Sequence, residues 1–249
     1  MKSSTIKKQV EKLYSLSLKK NLYTSRYRLR NHLSYLFGDN ALLEKKVLDI
    51  GGGFGLLTLF AAASGACATC LEPEFDGSSK GMIQTFHQLN ANLDLQIGKA
   101  EIQTKTFQNY ETDDIFDVVI LSNSINHLDE AATLTLKSDP EAKLRFIEIF
   151  KKIYEMMQPG GRLIITDCTR HNFFNDVKVV SPFMPTIEWD KHQSPYLWLM
   201  LLNQVGFEKS GIKWSSPNFL GRVGRLVFGN KLAAYFLFSH FRIEVKKPD

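Results

Sequence analysis

Two hydrophobic periods alternate along this chain. Leu13, Leu16 and Leu18 stand among lysines, and Leu29, Leu33 and Leu36 recur at helical spacing, so the first forty residues read as helices. Gly38-Asp39-Asn40 stops that segment. Lys46-Val47-Leu48-Asp49-Ile50 is then a short apolar run ending in glycines, which predicts a buried strand. Residues 56–64 read as a helix closed by Gly65, 66–71 as a second strand, 78–90 as a helix and 94–97 as a third strand. Residues 116–121 are a fourth strand, and 141–157 a helix with Leu144, Ile147 and Tyr154 at apolar positions. Gln158-Pro159-Gly160-Gly161 reads as a turn leading into a fifth strand at 162–166. Residues 195–205 form a helix that Gly206 breaks, and 211–215 and 235–245 are two more strands, paired as an antiparallel hairpin at the sheet edge.

Strands that alternate with helices imply an α/β fold with a doubly wound, mostly parallel sheet, here of seven strands. No repeat or Pro/Gly/Ser-rich linker interrupts the chain, so one domain spans 1–249. An N-terminal helical cap covers 1–44, a ligand-binding core 45–170, and a substrate-side lid with the hairpin 171–249. Hydrophobic residues at 44% and charged residues at 23% exclude a disordered chain. Three cysteines exclude a disulfide scaffold and fit a reducing, cytoplasmic compartment. The N-terminus has no apolar core of signal-peptide length. The longest uncharged run, 50–71, has membrane-spanning length, but its glycines, Ser64 and Thr69 fit a strand–loop–helix–strand better. The net charge of +5 is partitioned: +8 in 1–46, −9 in 47–208 and +6 in 209–249. Basic ends over an acidic middle read either as solvated faces or as a binding rim.

The strongest chemical signal is Val47-Leu48-Asp49-Ile50-Gly51-Gly52-Gly53-Phe54-Gly55. A strand running into glycines turns sharply and lets a ligand approach the backbone, at the strand end where open α/β sheets bind ligands. Glu72 follows Gly51 by twenty-one positions, at the end of the second strand, where a carboxylate can accept both hydroxyls of a ribose. These residues point to a nucleoside-containing cofactor. The dinucleotide fingerprint G-x-G-x-x-G fails at its third glycine, where Leu56 stands.

The pattern D-x-G-x-G-x-G, with Glu72, the acidic-start strand Asp117-Val118-Val119-Ile120 and the turn Gln158-Pro159-Gly160-Gly161, resembles class I S-adenosylmethionine-dependent methyltransferases of the small-molecule type, over about residues 45–170. The resemblance implies a Rossmann-like methyltransferase fold and S-adenosylmethionine as cofactor. It implies that Gly51 and Gly53 pack on the methionine part, with Asp49 near its amino group. Glu72 then holds the ribose and Pro73 lines the adenine. Where the family often has Gly-Asp-Ala after the third strand, this chain has Gly98-Lys99-Ala100-Glu101, so either the backbone of Ala100 or the side chain of Glu101 serves the adenine. Ser122 and Asn123 are implied to pass beneath the cofactor.

Arg26, in a Tyr/Arg-rich N-terminal stretch, is placed either on the cofactor carboxylate or on a surface helix face. His127 lies just past the fourth strand, where the family often has a histidine. It is the catalytic candidate as a general base, with a pocket-rim packing residue as the competing reading. Asp167 and His171 are weaker candidates, and His192 is a further one, read as a structural or substrate-positioning residue. No metal site is expected, because Cys67 and Cys70 would face opposite sides of one strand.

The implied activity is in-line methyl transfer to an oxygen or nitrogen of a small, partly apolar acceptor. The alternatives are a non-catalytic cofactor binder and an NAD-dependent reductase. Apolar residues at 171–195 and around 219–226 suggest a lid over a hydrophobic substrate. Aromatics beside arginines there also fit transient contact with a membrane surface, while no stable nucleic-acid partner is expected.

Overall fold

The computed structural model describes residues 2–38, 41–74, 80–208 and 211–249. The expected helix stop at Asp39-Asn40 and the expected helix start at Ser78 lie outside them. Among the described residues seven strands form one mixed sheet in the order β3-β2-β1-β4-β5-β7-β6, numbered along the chain with the ranges given below. The chain divides into two compact units, 2–122 and 123–249 among the described residues. Their boundary falls at the end of the fourth strand.

In the first unit, α1 (Lys2–Lys19) and α2 (Arg26–Phe37) precede β1 (Lys46–Ile50). The unit continues with α3 (Leu56–Ala63), β2 (Cys67–Leu71), α4 (Met82–Leu93), β3 (Lys99–Gln103) and β4 (Phe116–Ser122). β1 pairs in parallel with β2 and β4, and β2 with β3. Val47, Leu48, Ile50, Val118, Val119 and Leu121 are almost fully buried, as a strand covered on both faces requires. α1 packs on α3 and α4, burying Leu13. The cation-rich N-terminal helices are therefore a layer of the fold as well as a basic surface. The uncharged run 50–71 resolves into the end of β1, a loop, α3 and β2, and among the described residues no helix is long and apolar enough to cross a membrane.

The third strand is not at 94–97. Asp94 ends α4 in a left-handed conformation (φ 54°), and the strand begins at Lys99. The misplacement has a physical cause: β3 is the sheet edge, and only Ala100 of its five residues is buried, so it shows no apolar run. Gly98 serves packing, since a Cβ there would sit 2.1 Å from the Ala62 carbonyl oxygen and 2.5 Å from that of Ala66.

In the second unit, α5 (Glu130–Thr135) and α6 (Pro140–Glu155) lead to β5 (Met157–Cys168), followed by α7 (Phe173–Asp176) and α8 (Pro195–Val205). β6 (Ile212–Trp214), α9 (Gly221–Phe228), α10 (Lys231–Phe236) and β7 (His240–Lys246) complete it. Trp198 of α8 is fully buried against Phe146 and Phe150 of α6. The expected hairpin is present, with β7 antiparallel to both β5 and β6. Two details differ. Residues 235–239 are a helix end and a turn, so β7 starts at His240. The Pro159-Gly160-Gly161 stretch stays within β5, where the Gly160 N–H donates to the Lys247 carbonyl and Gly161 accepts from Lys247. Gly160 supplies the positive φ (71°) that this kink needs.

Candidate active site

The carboxyl ends of β1, β2, β3 and β4 lie level: Ile50 is paired with Leu71 and Leu121, and Leu71 with Gln103. Gly51, Glu72 and Ser122 each follow these positions or end them, so the register brings them to one edge. Gly51, Gly53 and Gly55 all take positive φ, which lets the chain turn out of β1 and into α3 within a few residues. At Gly52 a Cβ would lie 2.6 Å from both Asp49 Oδ2 and Cys70 Sγ, so no side chain fits there.

Two acids are buried under this loop. Asp49 is fully buried and accepts from Thr58 Oγ1 of α3 at 2.8 Å, while its Oδ1 has no hydrogen-bond partner. Burial pushes its carboxyl up to about 6, with Glu72 adding to the rise and the Thr58 bonds opposing it. A buried, unpartnered carboxylate oxygen suits a cationic ligand group, because such a group would supply both the missing donor and the missing charge. Glu72 is 7% exposed and held by two backbone donors, Gly53 N–H to Oε2 at 2.9 Å and Glu74 N–H to Oε1 at 3.1 Å. Each oxygen keeps a second lone pair for a hydroxyl. This cradle fits an amino-acid-bearing nucleoside: glycines for close approach, an orphaned acid for an ammonium group, and a fixed carboxylate for a diol.

Other expected residues fall elsewhere. Ala100 and Glu101 lie inside β3, not after it, opposite Ala68 and Thr69. The Ala100 carbonyl accepts from Asn90 Nδ2, and Glu101 accepts from Thr69 Oγ1 and Gln103 Nε2. Glu101 lines a cavity of about 210 Å³ with Lys46, Thr69, Lys99, Asp114 and Phe116, at the amino-terminal ends of the strands and away from the glycine loop. In this register the residues beyond Gln103 replace them at the strand edge. Arg26 forms an ion pair with Glu11 and lies over the Tyr14 ring. Pro73 is half-buried beside Glu72. Cys67 is exposed and Cys70 buried, on opposite sides of β2, with both thiols free. Among the described residues no cluster of side chains could hold a metal ion.

In the second unit, Asn123 takes a left-handed conformation (φ 55°) and donates to the Thr166 carbonyl at 2.7 Å. His127 ends the short 3-10 turn Ile125–His127, with its side chain 55% exposed and its Nδ1 2.6 Å from Glu130 Oε1. That bond holds the Glu130 carboxyl below its ordinary range. A second histidine–carboxylate pair is far less exposed. Asp167, near the carboxyl end of β5, is fully buried, and its Oδ1 lies 3.0 Å from His192 Nδ1. The His192 side chain is 15% exposed. The second Asp167 oxygen has no hydrogen-bond partner, and burial pushes the nearby His240 down, towards the neutral form. The sequence flagged Asp167 and His192 separately. Only the fold joins them.

A methyltransferase-domain family model matches residues 22–218. Over 131 residues the chain is 26% identical to a ubiquinone biosynthesis O-methyltransferase of Pseudomonas entomophila; the match covers 53% of this chain and about half the length of that relative (47%). The fold is similar to a crystal structure from Listeria monocytogenes described as an S-adenosylmethionine-dependent methyltransferase (TM-score 0.58, 14% identity, 90% of this chain and 99% of that one). It is also similar to a methyltransferase of the same dependence from Methanosarcina mazei (0.55, 18%, 82% and 93%). A third similar structure is magnesium protoporphyrin IX methyltransferase from Synechocystis, solved with bound S-adenosylmethionine (0.52, 14%, 88% and 79%). The glycine-rich turn, the sheet order and the family match over most of the chain agree: the chain belongs to the methyltransferase-domain family, as a class I S-adenosylmethionine-dependent methyltransferase.

Proposed function

We propose that this class I methyltransferase methylates a hydroxyl oxygen of a small, partly apolar molecule, with His192 as the general base. The cofactor supplies a methyl group already activated on a sulfonium sulfur. The chain's own work is to hold that cofactor, align the acceptor and move one proton. In this reading Glu72 holds the ribose hydroxyls, Asp49 faces the amino group, and Gly51 and Gly53 let the methionine part approach the backbone. Pro73 and Ser122, at the same strand edge, border the cofactor.

The observation that carries the choice of oxygen is the Asp167–His192 pair. In this reading His192 Nδ1–H donates to Asp167 Oδ1, which leaves Nε2 to accept a proton. That nitrogen takes the proton of the acceptor hydroxyl as the oxygen becomes nucleophilic. A neutral amine acceptor would need no such base before attack. The names of similar proteins support a small acceptor, since one is an O-methyltransferase of ubiquinone biosynthesis and another acts on a porphyrin. Free thiols at Cys67, Cys70 and Cys168 accord with a cytoplasmic setting. His127, paired with Glu130 at the surface, is the second candidate base.

The test is a panel of phenolic and aliphatic alcohols and matched amines, with methyl-labelled cofactor, assayed with the native chain and with His192→Gln. Transfer to an alcohol that His192→Gln abolishes supports the reading. Transfer to amines alone, at a rate indifferent to His192, contradicts it.

A further inference from the structure

Helix α9 is turned inside out. Gly221 and Gly224 are its buried positions, and a Cβ on Gly224 would sit 2.3 Å from Leu220 Cβ. The opposite side carries Val223 (71% exposed), Leu226 (88% exposed) and Val227, all facing solvent. In α10, Ala234 is buried while Leu232 and Phe236, four residues apart on one face, are exposed. Phe219, in the short turn before α9, is exposed as well. An ordinary surface helix shows the reverse arrangement, and large apolar side chains gathered on the exposed face of a helix mark a contact.

Charge decides what kind of contact. Residues 211–243 contain no Asp or Glu, and the same two helices carry Arg222, Arg225 and Lys231. A second copy of this chain, docked through the same patch, would set these cations against their own equivalents. A bilayer with anionic headgroups satisfies both features, hydrocarbon for the apolar residues and negative charge for the basic ones. Since among the described residues no helix can cross a membrane, the contact lies in the plane of the interface.

We propose that α9, α10 and the Phe219 turn form a docking surface for anionic lipid bilayers. This goes beyond the methyl-transfer reading and is tested without cofactor or acceptor. The full chain is sedimented with vesicles of phosphatidylcholine alone and with vesicles containing an equal share of phosphatidylglycerol. The surface predicts co-sedimentation with the anionic vesicles, weakened by salt, and little with the neutral ones. Leu226→Ser combined with Val227→Ser should lower vesicle binding about tenfold or more, because both side chains lose their hydrocarbon contact. Arg222→Gln combined with Lys231→Gln, read alongside in case the first variant is poorly folded, should weaken anionic binding and flatten its salt dependence. The proposal is overturned if the native chain ignores anionic vesicles, or if neither variant changes binding. It is also overturned if sedimentation equilibrium shows a dimer that the Leu226/Val227 variant dissociates, for then a second copy covers the patch.

Discussion

The strand ends and the α9–α10 segment break the usual partition of residues in opposite ways. At the ends of β1, β2 and β5 the chain hides carboxylates: Asp49, Glu72 and Asp167 are all buried, and Asp49 and Asp167 each keep an oxygen without a partner. In α9 and α10 it displays hydrocarbon, with Leu226 almost wholly in solvent. Each arrangement costs stability in the isolated chain, by desolvating acids in one place and hydrating apolar surface in the other. Both are costs that a bound partner would remove, a small polar ligand at the strand ends and, on the proposal above, an extended apolar surface at the helices. The lesson is about scale. An orphaned oxygen specifies an atom-sized contact, whereas exposed side chains on two helices specify an area.

The largest expected effect breaks the first half of this comparison at β5. His192→Ala should lower turnover by about 10²–10⁴, while His127→Ala stays within a few fold. Cofactor affinity should hardly move in either variant. The reverse ranking of the two histidines would transfer the base to the His127–Glu130 pair.

Next comes the pH dependence of Asp49. Folding raises its carboxyl from 3.8 to about 6, so the fold favours the protonated form. That contribution is fully present below about pH 4 and is lost as pH rises through about 6. At about 1.4 kcal/mol per pKa unit, the ligand-free chain should lose up to about 3 kcal/mol across this window. Asp49→Asn should flatten the profile in denaturant titrations at pH 4 and pH 7. If the amino group of the cofactor faces this acid, native affinity should also weaken below about pH 6, and the variant should lose that trend.

Smaller effects sharpen the contrast between tight and open sites. Gly52→Ala forces a methyl against Asp49 and Cys70, for a loss of about 1–3 kcal/mol in chemical denaturation. Leu226→Ser, on the exposed face of α9, should change stability by no more than about 0.5 kcal/mol. Equal losses at the two positions would mean that α9 is packed in solution and the patch is not a free surface.

How much was legible in the sequence follows from burial. The sequence places β1 and α8 to the residue and β2 almost so, because apolar runs bounded by Gly or Pro fix both period and ends. β3 was misread because an edge strand of Lys, Ala, Glu, Ile and Gln carries no buried run, and with it Ala100 and Glu101 were assigned to a loop they do not occupy. The aromatic stretch Tyr235-Phe236-Leu237-Phe238 looked like strand, yet its first two residues end a helix. In the candidate site, Asp49, the glycines and Glu72 can be singled out together because a fixed local spacing joins them. Asp167 and His192 can each be singled out but not as a pair, because they stand 25 residues apart and meet only through the irregular segment after β5. Nor could the sequence show which way α9 turns, since an amphipathic helix reads the same with its apolar face in or out.

The central claim is that the buried acids at the ends of β1 and β2 bind S-adenosylmethionine. The most direct measurement is a calorimetric titration of the native chain and of Glu72→Ala with S-adenosylmethionine and with NAD. The account predicts micromolar binding of S-adenosylmethionine to the native chain and no binding of NAD. Glu72→Ala should weaken the former by about 10- to 150-fold, as expected for losing roughly 1.5–3 kcal/mol of charge-assisted acceptance together with the strut that holds Gly53. Undiminished affinity in a folded Glu72→Ala chain, or NAD binding in place of S-adenosylmethionine, would contradict it.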